Sequence, residues 1–198
     1  RDRGLKVSSF KVGPDYIDPA FHRVAGGRAC TTLDGWAMRP ATLAGLAVAA
    51  GAGADLVIGE GVMGLFDGAA AGGGSTADLA AGFGWPVILV VDVRGQAASA
   101  AAVVEGFRGF RDDVRIAGVI FNRIGGESHE RTLREACASR AGKVLGCVPH
   151  DGALALPDRH LGLVQAGEHG ALDEFIATAA AAVARCVDMD TLGRLAAR

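Results

Sequence analysis

Short apolar runs, separated by stretches with helical spacing, dominate this chain. Leu5 to Phe10, Asp55 to Gly59, Val87 to Val91, Ile116 to Phe121 and, more weakly, Lys143 to Cys147 read as β-strands. The third, opened by Pro86, is apolar throughout, the pattern of a strand covered on both faces. Helical spacing runs over Ala41 to Ala50 behind Pro40, over the short stretch Thr76 to Ala81, and over Ala97 to Phe110. Two further helices are predicted from Glu127 to Arg140, with Ser128 as N-cap, and from Ala171 to about Arg185. Strands alternating with helices predict an α/β fold: a doubly wound, mostly parallel sheet with helices on both faces. Ligands bind such sheets beyond the carboxyl ends of the strands, so the loops leaving the strands are where chemistry is expected. Asp151 to Gly170, with Pro157 and two histidines, shows no period and reads as an irregular excursion. Asp188 to Leu192 either starts a helix or forms a linker. Residues 1–187 then make one domain, and 188–198 a tail leading to another.

Composition narrows this picture. The chain has 198 residues, 50% of them hydrophobic, enough for one domain with a sizeable core. The net charge is -2 and no Lys/Arg cluster stands out, which argues against a nucleic-acid partner. No apolar run reaches the roughly 18 to 20 residues of a membrane span. Cys30, Cys137, Cys147 and Cys186 form no C-x-x-C pair and have no histidine at zinc-binding spacing. They are expected to be reduced thiols of a cytoplasmic protein. His22, His129, His150, His160 and His169 likewise show no ligand spacing. The opening Arg1-Asp2-Arg3-Gly4 carries no signal peptide and no Met, so a natural start upstream is expected.

The loops after the strands carry the candidate chemistry. Lys11-Val12-Gly13-Pro14-Asp15-Tyr16-Ile17-Asp18-Pro19 follows the first strand. A lysine neutralises phosphate and carboxylates hold a hard cation, so this loop suits phosphate and Mg2+. Asp18-Pro19 also reads as an ordinary helix start. After the second strand come Gly59, Gly61 and Gly64, a literal G-x-G-x-x-G. Loop rather than helix follows it, so the dinucleotide reading fails its own context. Glu60, at the strand end, reads instead as a Mg2+ ligand or as one half of a surface ion pair. Gly72-Gly73-Gly74-Ser75-Thr76 precedes a helix start, where free N–H groups attract anions; Ser75 is equally an N-cap. Asp92 is either an acidic site residue or a turn former. Asn122, followed by Arg123, either reads a base edge with its amide or makes a turn. No G-x-x-x-x-G-K-[ST] occurs anywhere in the chain.

Taken together these loops are more specific than any one alone. Residues 11–19, Glu-Gly-Val-Met-Gly-Leu-Phe-Asp-Gly at 60–68, Gly-Ser-Thr-Ala at 74–77 and Val-Val-Asp-Val-Arg-Gly at 90–95 resemble the cobyrinate (or hydrogenobyrinate) a,c-diamide synthase family. So do Gly-Val-Ile-Phe-Asn-Arg at 118–123 and Leu-Ala-Leu-Pro-Asp-Arg-His-Leu-Gly-Leu at 154–163. The resemblance implies a P-loop NTPase fold like that of dethiobiotin synthetase, joined in the family to a glutamine amidotransferase domain. It implies that ATP phosphorylates the c and then the a acetate carboxylate of the corrin ring, and that glutamine-derived ammonia displaces the phosphate. It places Lys11, Asp15 and Glu60 in the catalytic set, with Asp15 and Glu60 on Mg2+. Tyr16, Asp18, Ser75 and Thr76 would line the corrinoid or acyl-phosphate site, and Asn122 and Arg123 the nucleotide site. A homodimer is compatible with this reading.

Two departures qualify it. The family's first strand and phosphate loop should precede Arg1, and no amidotransferase cysteine of the G-x-C-x-G kind is present. The chain by itself is therefore expected neither to hydrolyse glutamine nor to bind ATP tightly. Two rivals remain: another ligase of the superfamily (cobyric acid synthase or dethiobiotin synthetase) and a non-catalytic partition-type ATPase. The latter should carry a basic face, which this sequence lacks.

Overall fold

The computed structural model describes residues 2–70, 72–138, 142–155, 158–159, 162–163, 165–168 and 170–196. The chain clusters into two compact units, Arg1–Gly82 with Leu156–Ile176, and Phe83–Ala155 with Ala177–Arg198. Both are α/β with parallel three-stranded sheets.

In the first unit the strands are β1 (Val7–Val12), β2 (Cys30–Leu33) and β3 (Leu56–Glu60), in the order β2-β1-β3. Both pairings in this sheet are parallel: Ser9 faces Cys30 across one edge of β1 and Ile58 across the other. The crossovers are the helices α1 (Asp18–Gly26) and α2 (Pro40–Gly51), as parallel pairing requires. β1 is the central strand, and its side chains from Ser8 to Val12 are buried. β2 escaped sequence reading because Cys-Thr-Thr-Leu is short and half polar; its pairing with β1 makes it a strand. α1 was anticipated only as a helix start at Asp18-Pro19. It runs to Gly26 and ends on Gly27 at φ 69, whose N–H bonds Arg23 O, a left-handed stop that suits glycine. A small antiparallel hairpin, β7 (Asp158–Arg159) with β8 (Gly162–Leu163), lies in the excursion. Other parts of the 154–163 motif lie outside the described residues.

In the second unit β4 (Val87–Asp92), β5 (Ile116–Ile124) and β6 (Val144–Pro149) pair in the order β4-β5-β6. Helices α4 (Ser99–Phe110) and α5 (Glu127–Cys137) are the crossovers. Buried Val104, Leu133 and Cys137 belong to these helices, and Val119 and Phe121 to β5. Burying Phe121 alone stabilises by about 2–3 kcal/mol. Side chains alternate along a strand. Ile120 accordingly joins a separate cluster of Leu145, Val148 and Val187 with Met189, Leu192 and Leu195. The last three come from α7 (Met189–Ala196), which follows α6 (Leu172–Cys186). Asp188 caps α7 by accepting from Thr191 N at 2.9 Å.

Two expectations are corrected here. β4 is not covered on both faces: Leu89 and Val91 are buried, but Val90, which alternation puts on the other face, is 61% exposed. Ser128 is not the cap of α5. Gly126 holds that position, and no side chain caps the helix. The predicted end at Arg140 lies outside the described residues. All four cysteines are free, and burial pushes the Cys147 thiol up to about 11, so it is an inert core group. No helix is long and apolar enough to cross a membrane among the described residues.

Candidate functional site

Parallel pairing puts the carboxyl ends of β1 and β3 side by side, with Lys11 facing Glu60 in register. Glycine and proline bend the chain just after β1. Gly13 takes φ 80 and its N–H bonds Leu33 O at 2.9 Å. Asp15 closes the turn by accepting from Ile17 N at 2.8 Å and Asp18 N at 3.3 Å. That turn delivers Asp18 to the first turn of α1, where the helix N-terminus favours an acidic side chain.

Three of the sequence-predicted carboxylates then meet one predicted lysine. Lys11 is 4% exposed, a burial lysine tolerates only when paired. Its Nζ lies 2.7 Å from Asp18 Oδ2, 3.3 Å from Glu60 Oε1 and 3.6 Å from Asp15 Oδ2. Burial lowers the Lys11 pKa, but the hydrogen bond to Asp18 and the charge of Glu60 outweigh it and hold it above the ordinary 10.5. Burial raises Glu60, but hydrogen bonding by His22 and the Lys11 charge hold it below its ordinary 4.5. Asp15, also raised by burial, is held below 3.8 chiefly by the backbone N–H groups of Ile17 and Asp18. Lys11, Asp15 and Glu60 are therefore charged at neutral pH. One ammonium does not balance three carboxylates, and hard oxygen donors with surplus negative charge suit a divalent cation such as Mg2+. No group of three or more His, Cys, Asp or Glu residues forms a ready-made metal site among the described residues.

His22 was missed by sequence reading. It lies one helical turn beyond Asp18 on α1, and its Nε2 bonds Glu60 Oε2. No motif spacing signals this, because the partner is 38 positions away. The one local signal in the sequence is the i, i+4 relation between Asp18 and His22 on the helix that Asp18-Pro19 starts.

The glycine-rich segments form the adjoining loops. Gly72, Gly73 and Gly74 adopt φ 86, 80 and 79 in succession, a run that side chains resist. Ser75 and Asp78 cap α3 (Thr76–Phe83) reciprocally: Asp78 N donates to Ser75 Oγ at 3.1 Å and Ser75 N to Asp78 Oδ2 at 3.0 Å. Thr76 Oγ1 accepts from Val62 N at 3.3 Å, tying the helix start to the loop after Glu60. The G-x-G-x-x-G pattern has packing reasons. A Cβ at Gly59 would overlap the Phe10 ring, one at Gly61 would meet Thr76, and one at Gly64 would meet Asp67. Tyr16 stands 74% exposed beside the carboxylates in sequence.

The remaining predicted residues belong to the second unit. Asn122 pairs in register with Asp92, and its Oδ1 accepts from Arg123 N at 2.9 Å. Arg123, at φ 62, donates to Asp92 Oδ2 at 2.9 Å, and Arg94 bonds the same carboxylate. Hydrogen bonds from Arg94 and then Arg123 hold Asp92 below its ordinary value. The structure therefore brings Lys11, Asp15, Asp18 and Glu60 together in one unit and Asn122 and Arg123 together in the other.

Comparison with known proteins agrees with this architecture. A family model described as AAA domain matches residues 40–157. The chain is 54% identical over 192 residues to hydrogenobyrinate a,c-diamide synthase of Rhizobium meliloti (strain 1021), covering 97% of this chain and 45% of that protein. It is 52% identical over 191 residues to the enzyme of the same name from Brucella suis biovar 1 (strain 1330), covering 96% and 44%. For that of Rhodobacter capsulatus the identity is 50% over 194 residues, again covering 96% and 44%. The chain thus spans less than half the length of these relatives.

Proposed function

Because the chain belongs to the AAA domain family, we propose that its carboxylate cluster serves an ATP-dependent, glutamine-using ligase that amidates the a and c acetate carboxylates of hydrogenobyrinate or cobyrinate. The observation that carries this reading is the high identity to synthases of that name along nearly all of this chain. The conjunction of Lys11, Asp15, Asp18 and Glu60 at adjacent strand ends supports it.

A carboxylate is a poor electrophile, since attack by ammonia would have to expel oxide. Transfer of the γ-phosphoryl group from ATP to a carboxylate oxygen creates an acyl phosphate, and ammonia from glutamine then forms the C–N bond as phosphate leaves. Such transfer depends on positioning and charge more than on covalent help from the protein. Mg2+ would neutralise the phosphate oxygens, and Asp15 and Glu60 are the residues proposed to hold it. Lys11 helps keep Glu60 ionised and ties it to Asp15 and Asp18. Asp18 anchors Lys11 from α1. Tyr16, Ser75 and Thr76 are proposed to meet the corrinoid or its activated carboxylate, and Asn122 and Arg123 the nucleotide base.

The test uses the full-length protein carrying this chain, with hydrogenobyrinate, ATP, Mg2+ and glutamine. The expected result is conversion of two carboxylates to amides, with one phosphate released for each. Glu60→Gln should lower the rate by a hundredfold or so, the scale of losing one preorganised electrostatic group. Absence of amidation at the a and c positions would remove the proposal.

A further inference from the structure

We propose that His22 is a positioning residue, holding the Glu60 carboxylate in one orientation for the cation; the inference rests on the reading of Glu60 given above. Glu60 ends an edge strand, and its side chain is 44% exposed. A glutamate in that setting keeps most of its rotamer freedom, and fixing it costs conformational entropy. Two groups oppose that freedom here, one on each oxygen. Lys11 Nζ takes Oε1 at 3.3 Å and the His22 ring takes Oε2. Lys11 is shared with Asp15 and Asp18, so it cannot define the carboxylate plane by itself. His22 alone engages Oε2 among the described residues.

The source of His22 gives the contact its meaning. α1 fully buries no residue. It presents Asp18 and His22 four positions apart, one reaching Lys11 and the other Glu60. The helix is thereby keyed to both strand ends by polar contacts. An accepting carboxylate requires the proton of the ring to be on Nε2, so His22 donates. Outer residues that orient a metal-binding carboxylate commonly change metal affinity by about 10- to 100-fold when removed.

The test compares His22→Gln, whose amide nitrogen falls near the Nε2 position, with His22→Asn, whose shorter amide falls near Nδ1, and with His22→Ala. All are made in the full-length protein. Mn2+ binding is measured by electron paramagnetic resonance with a non-hydrolysable ATP analogue present. The Mg2+ concentration giving half-maximal amidation and the melting temperature are measured alongside. His22→Ala and His22→Asn should weaken Mn2+ binding about tenfold and raise the Mg2+ requirement in parallel, while His22→Gln recovers most of both. Combining His22→Ala with Glu60→Gln should add little to Glu60→Gln alone. Equal behaviour of the Gln and Asn variants, or unchanged Mn2+ binding in His22→Ala, overturns the proposal. If Glu60→Gln itself leaves amidation intact, the reading of Glu60 falls and this inference with it. An impaired Glu60→Gln beside an unaffected His22→Ala removes only the role of His22.

Discussion

Lys11 concentrates the physical argument at the scale of single residues. It is a buried ammonium held by three carboxylates that are themselves partly in water. Removing one partner of a buried ionic group costs about 3–5 kcal/mol; solvent reaching the carboxylates reduces this. Lys11→Met is expected to destabilise the metal-free protein by roughly 2–3 kcal/mol at neutral pH, measured by urea denaturation. The pH dependence follows from the directions of the shifts. Glu60 and Asp15 sit below their ordinary 4.5 and 3.8, so their stabilisation is complete above those values and disappears as pH falls through the folded ones. Lys11 sits above 10.5, so its contribution is complete below that value and is lost as pH rises through the folded one. Urea midpoints across pH should therefore show a plateau bounded at both ends, and in Lys11→Met the acid edge should move upward. Lys11, Asp15, Asp18 and Glu60 were all legible as site candidates, because charged residues at strand ends are conspicuous. Their mutual pairing was not, since it depends on two strands being adjacent.

Among the elements, β3 illustrates how a motif changes meaning once its neighbours are known. Gly59 lies opposite Phe10 in the β1–β3 pairing, and the Phe10 ring occupies the space above it. Gly59→Ala should cost about 1–3 kcal/mol through overpacking. In a Phe10→Leu background the same change should cost less than about 1 kcal/mol, and thermal melts of the four-member cycle measure the coupling. An unchanged penalty in that background would mean that ring overlap is not the cause. The sequence offered this glycine as part of a dinucleotide fingerprint and rejected it on context; packing supplies the reason it is there. α3 shows the opposite relation. Ser75 was read both as a cap and as an anion contact, and the reciprocal bonds with Asp78 commit its hydroxyl as acceptor to the cap.

For the molecule as a whole, the distribution of candidate residues governs what this chain can do. Seven of them, Lys11, Asp15, Tyr16, Asp18, Glu60, Ser75 and Thr76, belong to one compact unit, and Asn122 and Arg123 to the other. No G-x-x-x-x-G-K-[ST] loop is present in the 198 residues, and such a loop supplies the backbone N–H cradle for nucleotide phosphates. Isothermal titration of this 198-residue chain with Mg2+·ATP is accordingly expected to give a dissociation constant weaker than micromolar. Micromolar binding would show that the loops present here grip the phosphates unaided.

The α/β class, the parallel pairing and most strands were determined by the sequence alone, because apolar runs and helical spacing are local signals that survive without a fold. The same holds for the loops that carry chemistry, since in such folds they follow strand ends. Tertiary structure decided what depends on separation in sequence. β2 exists because β1 pairs with it, Val90 is exposed because its face of β4 is left uncovered, and His22 reaches Glu60 because α1 lies beside two strand ends. Hydrogen bonds and ion pairs act over a few ångströms of space, whatever the distance along the chain, and only the folded arrangement shows which residues lie that close.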